Sequence, residues 1–90
     1  MIDPASIPQL NKHFRLQWEE AQDCYVLLYP EGMVKLNESA GLILSYVDGV
    51  KTVATIIAEL TERFPQVDSI ASDIEEFMAT ASAQRWVAFS

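Results

Sequence analysis

The sequence has 90 residues, half of them hydrophobic, and a net charge of −7 from 13 Asp and Glu against six Lys and Arg. That length suits one domain with a single core, and the excess of acid argues against nucleic acid, whose phosphates need clustered Lys or Arg. Cys24 is the only cysteine, and no signal sequence or membrane-spanning run is visible, so we expect a cytoplasmic protein with no internal disulfide and no membrane partner.

The first eleven residues contain Pro4 and Pro8 and few periodic apolar positions. They predict an extended N-terminal arm over residues 1–11, with little structure of its own, before a single domain over residues 12–90. An extended arm and an open strand edge are compatible with either a monomer or a dimer.

Three strands are predicted next. Apolar and polar residues alternate over residues 14–19, which is typical of a half-buried strand, whereas residues 24–29 are apolar throughout, which is typical of a central strand. A Pro-Glu-Gly turn then leads into a third strand, residues 33–36. The simplest topology is an antiparallel meander with the 24–29 strand in the middle.

Three helices follow the strands. Asn37 is a suitable N-cap for the first helix, which the Asp48-Gly49 turn ends. Thr52 caps the second, and its apolar stripe stops at Pro65. Asp68 or Ser69 caps the third, which carries Ile70, Ile74, Phe77, Met78 and Ala81 on one face.

These elements predict an α+β fold with a three-stranded antiparallel sheet and a three-helix bundle, similar to a winged helix-turn-helix domain. Residues 86–89 could form a strand or a hydrophobic lid, and the sequence leaves both open.

A winged helix suggests DNA binding through its third helix. Here residues 66–82 carry four acidic residues and no Lys or Arg. Phosphates would be repelled, so we expect no nucleic acid partner.

No set of residues for catalysis or metal binding is visible. His13 is the only histidine, and with a single cysteine it cannot complete an ordinary transition-metal site. Asp73 and Glu76 share a helix face, but a solvated surface explains them better than a pair of catalytic acids. The sequence therefore predicts a protein that is not an enzyme and has no cofactor.

The third predicted strand is the candidate binding edge. Charged side chains on the first strand disfavour pairing of its edge with another strand. Residues 33–36 hold one charge and no proline, so their unpaired backbone groups can pair with another strand. An edge beside an apolar helix face suits the addition of a peptide as an extra strand. The candidate residues are Met33, Val34, Lys35, Leu36, Ile70, Ile74, Phe77 and Met78. Ordinary core packing is the alternative for all of them except Met33 and Lys35.

Two substitutions would test this hypothesis. Val34→Pro should remove a backbone N–H from the edge, and Ile70→Asp should place a charge in the groove. Both are predicted to weaken peptide binding more than they disturb the helices.

An ordered set of short motifs resembles the PqqD family, pyrroloquinoline quinone (PQQ) biosynthesis protein D. The resemblance covers about residues 8–89 of this chain. The motifs are Leu-Leu-Tyr-Pro-Glu-Gly at 27–32, Leu36-Asn37 followed by Ala40, Asp48-Gly49, Val53 with Ile56-Ile57 and Leu60, and Asp73 ahead of Phe77. Each piece is weak alone, and their order and spacing make the set specific.

The resemblance implies a peptide chaperone with no catalysis and no cofactor of its own. It implies binding of the ribosomal precursor peptide PqqA and its presentation to PqqE, a radical SAM enzyme that cross-links a Glu and a Tyr of the peptide. It also implies that the peptide lies between the third strand and the third helix, where Asp73 joins the candidate residues.

Two other functions remain as alternatives. A non-catalytic acidic winged-helix interaction or regulatory domain would have no affinity for PqqA. A small enzyme or carrier that binds the finished quinone is disfavoured, because the chain has no cluster of Lys, Arg or His to bind a tricarboxylate.

Overall fold

The computed structural model describes residues 2–90 and places three helices between the fourth and fifth strands. The predicted α+β class is confirmed, with all three predicted strands and all three predicted helices present. The strands are β1 (Pro8–Leu10), β2 (Arg15–Glu19), β3 (Cys24–Tyr29), β4 (Gly32–Lys35) and β5 (Val87–Phe89), and the helices are α1 (Glu38–Ser45), α2 (Val53–Arg63) and α3 (Ile70–Ala83).

The main sheet is the predicted antiparallel meander, in the order β2-β3-β4. Leu27 of β3 lies opposite Leu16 of β2 on one side and Val34 of β4 on the other. Directly opposite residues share a face of the sheet, so these three side chains point the same way. Leu27 is completely buried, and this face packs on the helices.

Side-chain caps fix the starts of the first two helices. The N–H of Ala40 donates to Oδ1 of Asn37 at 2.8 Å, and the N–H of Thr55 donates to Oγ1 of Thr52 at 3.1 Å. Each bond satisfies a donor that the helix itself leaves unpaired, and each cap stabilises its helix by about 0.5–2 kcal/mol. The predicted caps of the first two helices are therefore confirmed, whereas Ser69 precedes the third helix without a side-chain cap bond.

The first helix ends earlier than the Asp48-Gly49 turn predicts. Regular α-helix stops at Ser45, and the next two residues make tighter bonds, from the N–H of Val47 to the carbonyl of Leu44, for example. Gly49 adopts a positive φ of 78° in the turn that follows. The turn is stabilised by Asp48, whose Oδ1 accepts the N–H groups of the two residues after Gly49.

Two buried clusters make up the core, and α1 joins them. The first lies among the helices and contains Ile43, Val53, Ile56, Leu60, Ile74 and Met78. The second lies between the sheet, the helices and β5 and contains Leu27, Leu36, Leu44, Ala81 and Val87. Because Ile43 and Leu44 are adjacent on α1 and face different clusters, this short helix couples the sheet to the helical bundle.

The N-terminal segment is held in place by backbone hydrogen bonds. Pro8 is buried, and β1 pairs antiparallel with β5 in a second, two-stranded sheet. The carbonyls of Pro4 and Ser6 accept the N–H groups of Ala54 and Val53 in the first turn of α2, at 2.9 and 3.0 Å. The structure thus differs over β1 from the prediction of an arm with little structure, and β5 shows that residues 87–89 form a strand.

Within residues 2–90, no helix combines the length and the apolar character that crossing a bilayer requires.

Candidate functional site

β4 is an edge strand with a defined set of free backbone groups. β3 pairs with it on one side, and no described residue pairs with it on the other. The N–H of Leu36, just beyond the strand, donates to the carbonyl of Tyr25 at 3.1 Å. Hydrogen-bonded pairs alternate along an antiparallel ladder, so Val34 also directs its N–H and C=O towards β3. Met33 and Lys35 therefore direct theirs towards the free edge.

The side chains of β4 alternate between the two faces of the sheet. Val34 and Leu36 point towards the helices, and Leu36 is only 5% exposed. Met33 and Lys35 point to the other face of the sheet, where Met33 is 50% exposed. The edge therefore offers the backbone of Met33 and Lys35, while their side chains point away from α3.

A groove of about 380 Å³ lies between the start of α1 and one face of α3. It begins two residues after β4 ends, at Asn37. Val34 of the edge strand and Phe77 of the groove both pack against the buried cluster beneath the sheet. The groove is lined by Asn37, Ser39, Ala40, Ile43, Asp73, Glu76, Phe77 and Thr80.

Of the predicted helix residues, two line this groove. Asp73 is exposed there, with its Oδ2 accepting a hydrogen bond from Oγ of Ser69 at 2.8 Å, and Phe77 is half-buried. Ile70 is half-buried against the helical cluster and does not line the groove. The structure thus brings Asp73 and Phe77 together in the groove, and Phe77 packs on the same buried cluster as Val34 of β4.

Three other predicted residues are part of the core. Ile74 and Met78 are fully buried against α2, and Leu36 is buried beneath β4. Their side chains pack in the core and are not available to contact a ligand. The physical reason is that the apolar stripe of α3 faces α2, so its most hydrophobic positions are used in packing before any ligand arrives.

Glu76 and Thr80 line the groove as well, although neither is predicted as a site residue from the sequence. Both follow Asp73 at helical spacing, at i+3 and i+7, so they lie on the same face as Phe77. Helical spacing counted from Asp73, rather than from the apolar residues of α3, would have predicted both. Asn37 and Ala40 were predicted only as helix residues, because their proximity to α3 depends on tertiary packing.

The groove offers hydroxyl, amide, carboxylate and aromatic groups to a ligand. Among residues 2–90, no three His, Cys, Asp or Glu side chains are grouped so as to hold a metal ion. An extended chain lying on β4 would have backbone partners on one side and Phe77 on the other. The arrangement is chemically suited to binding a peptide segment.

This chain is similar to known proteins over most of its length. A family model described as "Coenzyme PQQ synthesis protein D (PqqD)" matches residues 24–87. A protein of Azotobacter vinelandii (strain DJ / ATCC BAA-1303) named PqqA binding protein is 57% identical over 81 residues, which cover 90% of this chain and 88% of that protein. A protein of the same name from Pseudomonas aeruginosa (strain UCBPP-PA14) is 60% identical over 82 residues, covering 91% of this chain and 89% of that protein.

A solved structure has the same fold. The solution NMR structure of the PqqD truncation of Methylobacterium extorquens PqqCD matches with a TM-score of 0.79 and 29% identity, covering 98% of this chain and 95% of that one. It is described as a functional, stand-alone recognition element for ribosomally synthesized and post-translationally modified peptides (RiPPs). The family model and these relatives each span most of the sequence, and the resemblance drawn from the motifs is confirmed: the chain belongs to the PqqD family.

Proposed function

We propose that this protein binds the precursor peptide PqqA in the cytoplasm and presents it to the radical SAM enzyme PqqE, without catalysing a reaction itself. Relatives more than half identical to it are named PqqA binding protein, and the similar solved structure is described as a recognition element for modified peptides. The structural observation that carries the proposal is the free edge of β4 beside the groove on α3.

The peptide is proposed to add to β4 as a further strand. The N–H and C=O groups of Met33 and Lys35 supply four hydrogen-bonding groups, which together contribute about 2–6 kcal/mol at the usual net value per bond. Micromolar affinity needs about 8 kcal/mol, and binding must also offset lost translational freedom. Backbone pairing is therefore too weak alone, and side chains entering the groove must supply the rest.

The groove supplies that second contribution through alternate peptide side chains. On an added strand, every second side chain lies on the same face of the sheet as Val34. Those side chains face Phe77, whose half-buried ring offers apolar surface, and the polar groups around it. Each apolar side chain that becomes buried there adds about 1.5–3 kcal/mol. Such contacts add to the backbone pairing and help to offset the cost of association.

A titration of ¹⁵N-labelled protein with synthetic PqqA tests peptide binding and its location together. We expect amide shifts concentrated in residues 33–37 and 73–80, with the Met33 and Lys35 amide protons moving downfield as they gain hydrogen bonds. A peptide of the same composition in scrambled order is the control. No shifts at several hundred micromolar, a binding free energy weaker than about 5 kcal/mol, would overturn the proposal and favour a regulatory or interaction domain.

Presentation to PqqE needs a separate measurement. The yield of cross-linked PqqA is followed with PqqE and a limiting amount of peptide, with and without this protein. We expect a higher rate with the wild-type protein than with a variant that cannot pair through β4. Equal rates with both proteins would contradict the presentation step while leaving peptide binding intact.

A further inference from the structure

A second cleft, of about 520 Å³, opens on the other side of the start of α1. Its volume falls in the range of small-ligand sites. The β2–β3 hairpin, α1 and the end of α2 enclose it. Its apolar walls are the side chains of Trp18, Tyr25, Leu42 and Phe64.

The aromatic wall of this cleft is held in position by packing. The rings of Trp18 and Tyr25 meet edge to face, with centroids 5.1 Å apart. Tyr25 in turn lies so close to α1 that a Cβ on Gly41 would be 2.9 Å from its Cδ2 atom. A fixed wall loses little conformational freedom when a ligand binds, which favours affinity.

The opposite wall is fixed as well. Arg63 donates to the hydroxyl of Tyr46 at 3.0 Å, and its guanidinium lies over the ring of Phe64, 5.3 Å from the centroid. Trp18 nevertheless remains 48% exposed. Its indole therefore offers apolar surface that a ligand in the cleft can cover.

The cleft is next to the groove that the peptide is proposed to occupy. Asn37 lines both, and its cap bond to Ala40 holds it between them. Lys35, the last residue of β4 with outward backbone groups, precedes Asn37 by two positions. An added strand advances about 3.3 Å per residue. A peptide that runs past Lys35 therefore reaches the mouth of the cleft within a few residues.

We propose that this cleft is a second subsite for the bound peptide, and that it takes one aromatic side chain from the segment just beyond the strand that pairs with β4. The inference rests on the proposed function. Aromatic walls favour an aromatic guest because ring pairs gain energy beyond their buried area. The three charged residues around the cleft, Asp23, Glu38 and Arg63, are exposed and carry mixed signs, so they favour no charged side chain.

Calorimetric titration with PqqA tests the subsite. Three proteins are compared: wild type, Trp18→Ala, and Val50→Ala as a control at an exposed position that lines neither site. Each is titrated with full-length PqqA and with peptides shortened from either end. We expect Trp18→Ala to bind full-length PqqA about tenfold more weakly and Val50→Ala to bind it unchanged. The shortened peptide that lacks the aromatic residue should bind the wild type and Trp18→Ala with equal affinity.

Unchanged affinity of Trp18→Ala for full-length PqqA would overturn the subsite while leaving the edge site intact. Failure of the wild-type protein to bind PqqA would instead overturn the proposed function, and the subsite with it. A ¹⁹F measurement on the protein without substitution covers the case in which Trp18→Ala does not fold. With 5-fluorotryptophan at Trp18, the ¹⁹F resonance should shift with full-length PqqA only. Self-association without peptide, abolished by Trp18→Ala, would assign the cleft to a second copy and overturn the inference.

Discussion

The N–H of Leu36 donates to the carbonyl oxygen of Tyr25 at 3.1 Å, and this bond fixes the phase of the whole ladder between β3 and β4. In that phase the N–H of Val34 points towards Leu27 of β3, and the N–H of Lys35 points to solvent. Two neighbouring residues of one short strand thus have different tasks: Val34 holds the sheet together, and Lys35 is available to a partner.

The first prediction follows from this phase. Lys35→Pro removes a donor from the free edge without breaking the pairing with β3, because proline is tolerated where its missing N–H faces solvent. We expect PqqA binding to weaken about tenfold, or about 1.4 kcal/mol, with an unchanged circular dichroism spectrum. Isothermal titration calorimetry measures the affinity.

Two matched variants complete this test. Lys35→Ala removes the charge and keeps the N–H, so it should bind PqqA nearly as the wild type does. Val34→Pro, which the sequence alone suggested as the edge variant, removes a bond inside the sheet and should lower the urea midpoint instead. If Lys35→Pro bound as tightly as Lys35→Ala, the peptide would not pair with this edge.

Features with a local signal could be predicted from the sequence. The continuous apolar run of β3 and the cap at Thr52 each lie within a few residues, and both were predicted. β1 and β5 were not predicted as a pair, because three-residue strands from opposite ends of the chain leave no periodic pattern. Their pairing depends on α3 bringing the C-terminus back beside the N-terminus.

The candidate site was also predictable only where a local sequence signal exists. The edge strand and Phe77 could be identified from charge and periodicity. The burial of Ile74 and Met78 could not, because it depends on which face of α3 meets α2. The outward direction of Lys35 could not either, since hydrophobic alternation describes side chains, whereas the hydrogen-bond phase depends on the register with β3.

The second prediction concerns Gly41, which allows α1 to approach Tyr25. A Cβ at this position would lie 2.9 Å from Cδ2 and 3.0 Å from Cβ of Tyr25, closer than packed atoms tolerate. We expect Gly41→Ala to destabilise the fold by about 1–3 kcal/mol, although alanine is the better helix former. Urea denaturation followed by circular dichroism measures the change.

Ser45→Ala is the control for this prediction, because Ser45 is exposed on the last turn of the same helix. It should change the free energy of unfolding by no more than about 0.5 kcal/mol. A Gly41→Ala protein as stable as Ser45→Ala would show that Tyr25 moves aside at little cost, and that the aromatic wall of the second cleft is not rigid.

The third prediction is a pH dependence at the turn after α1. The N–H groups of Lys51 and Val50 donate to Oδ1 of Asp48, and these bonds lower the pKa of its carboxyl below the ordinary range. A carboxyl with a lower pKa in the folded state stabilises the fold above its unfolded pKa. That contribution is lost as the pH falls through the unfolded and then the folded pKa.

Asp48→Asn measures this contribution, because the amide oxygen can accept the same bonds without the charge. We expect the variant to unfold at a lower temperature than the wild type near neutral pH. The difference in unfolding temperature between the two proteins should decrease as the pH falls below the ordinary pKa range of an aspartate, because the wild-type carboxyl then becomes protonated and loses its charge. A gap that stayed constant with pH would mean that the charge of Asp48 does not act through these bonds.

The fourth prediction uses Trp86 as a reporter of the groove. The centroids of the Trp86 and Phe77 rings lie 6.4 Å apart, and Phe77 lines the groove. Because the chain has two tryptophans, Trp18→Phe leaves Trp86 as the only indole. We expect PqqA to change the fluorescence emission of Trp18→Phe with a saturable dependence on peptide concentration.

Adding Lys35→Pro to this background provides the control, since the same indole is present and the edge pairing is impaired. The emission change should then move to about tenfold higher peptide concentration, in step with the loss expected from the first prediction. Trp86 emission that stayed constant while calorimetry recorded tight binding would place the peptide away from Phe77. The groove between α1 and α3 would then not be the site, whatever the role of β4.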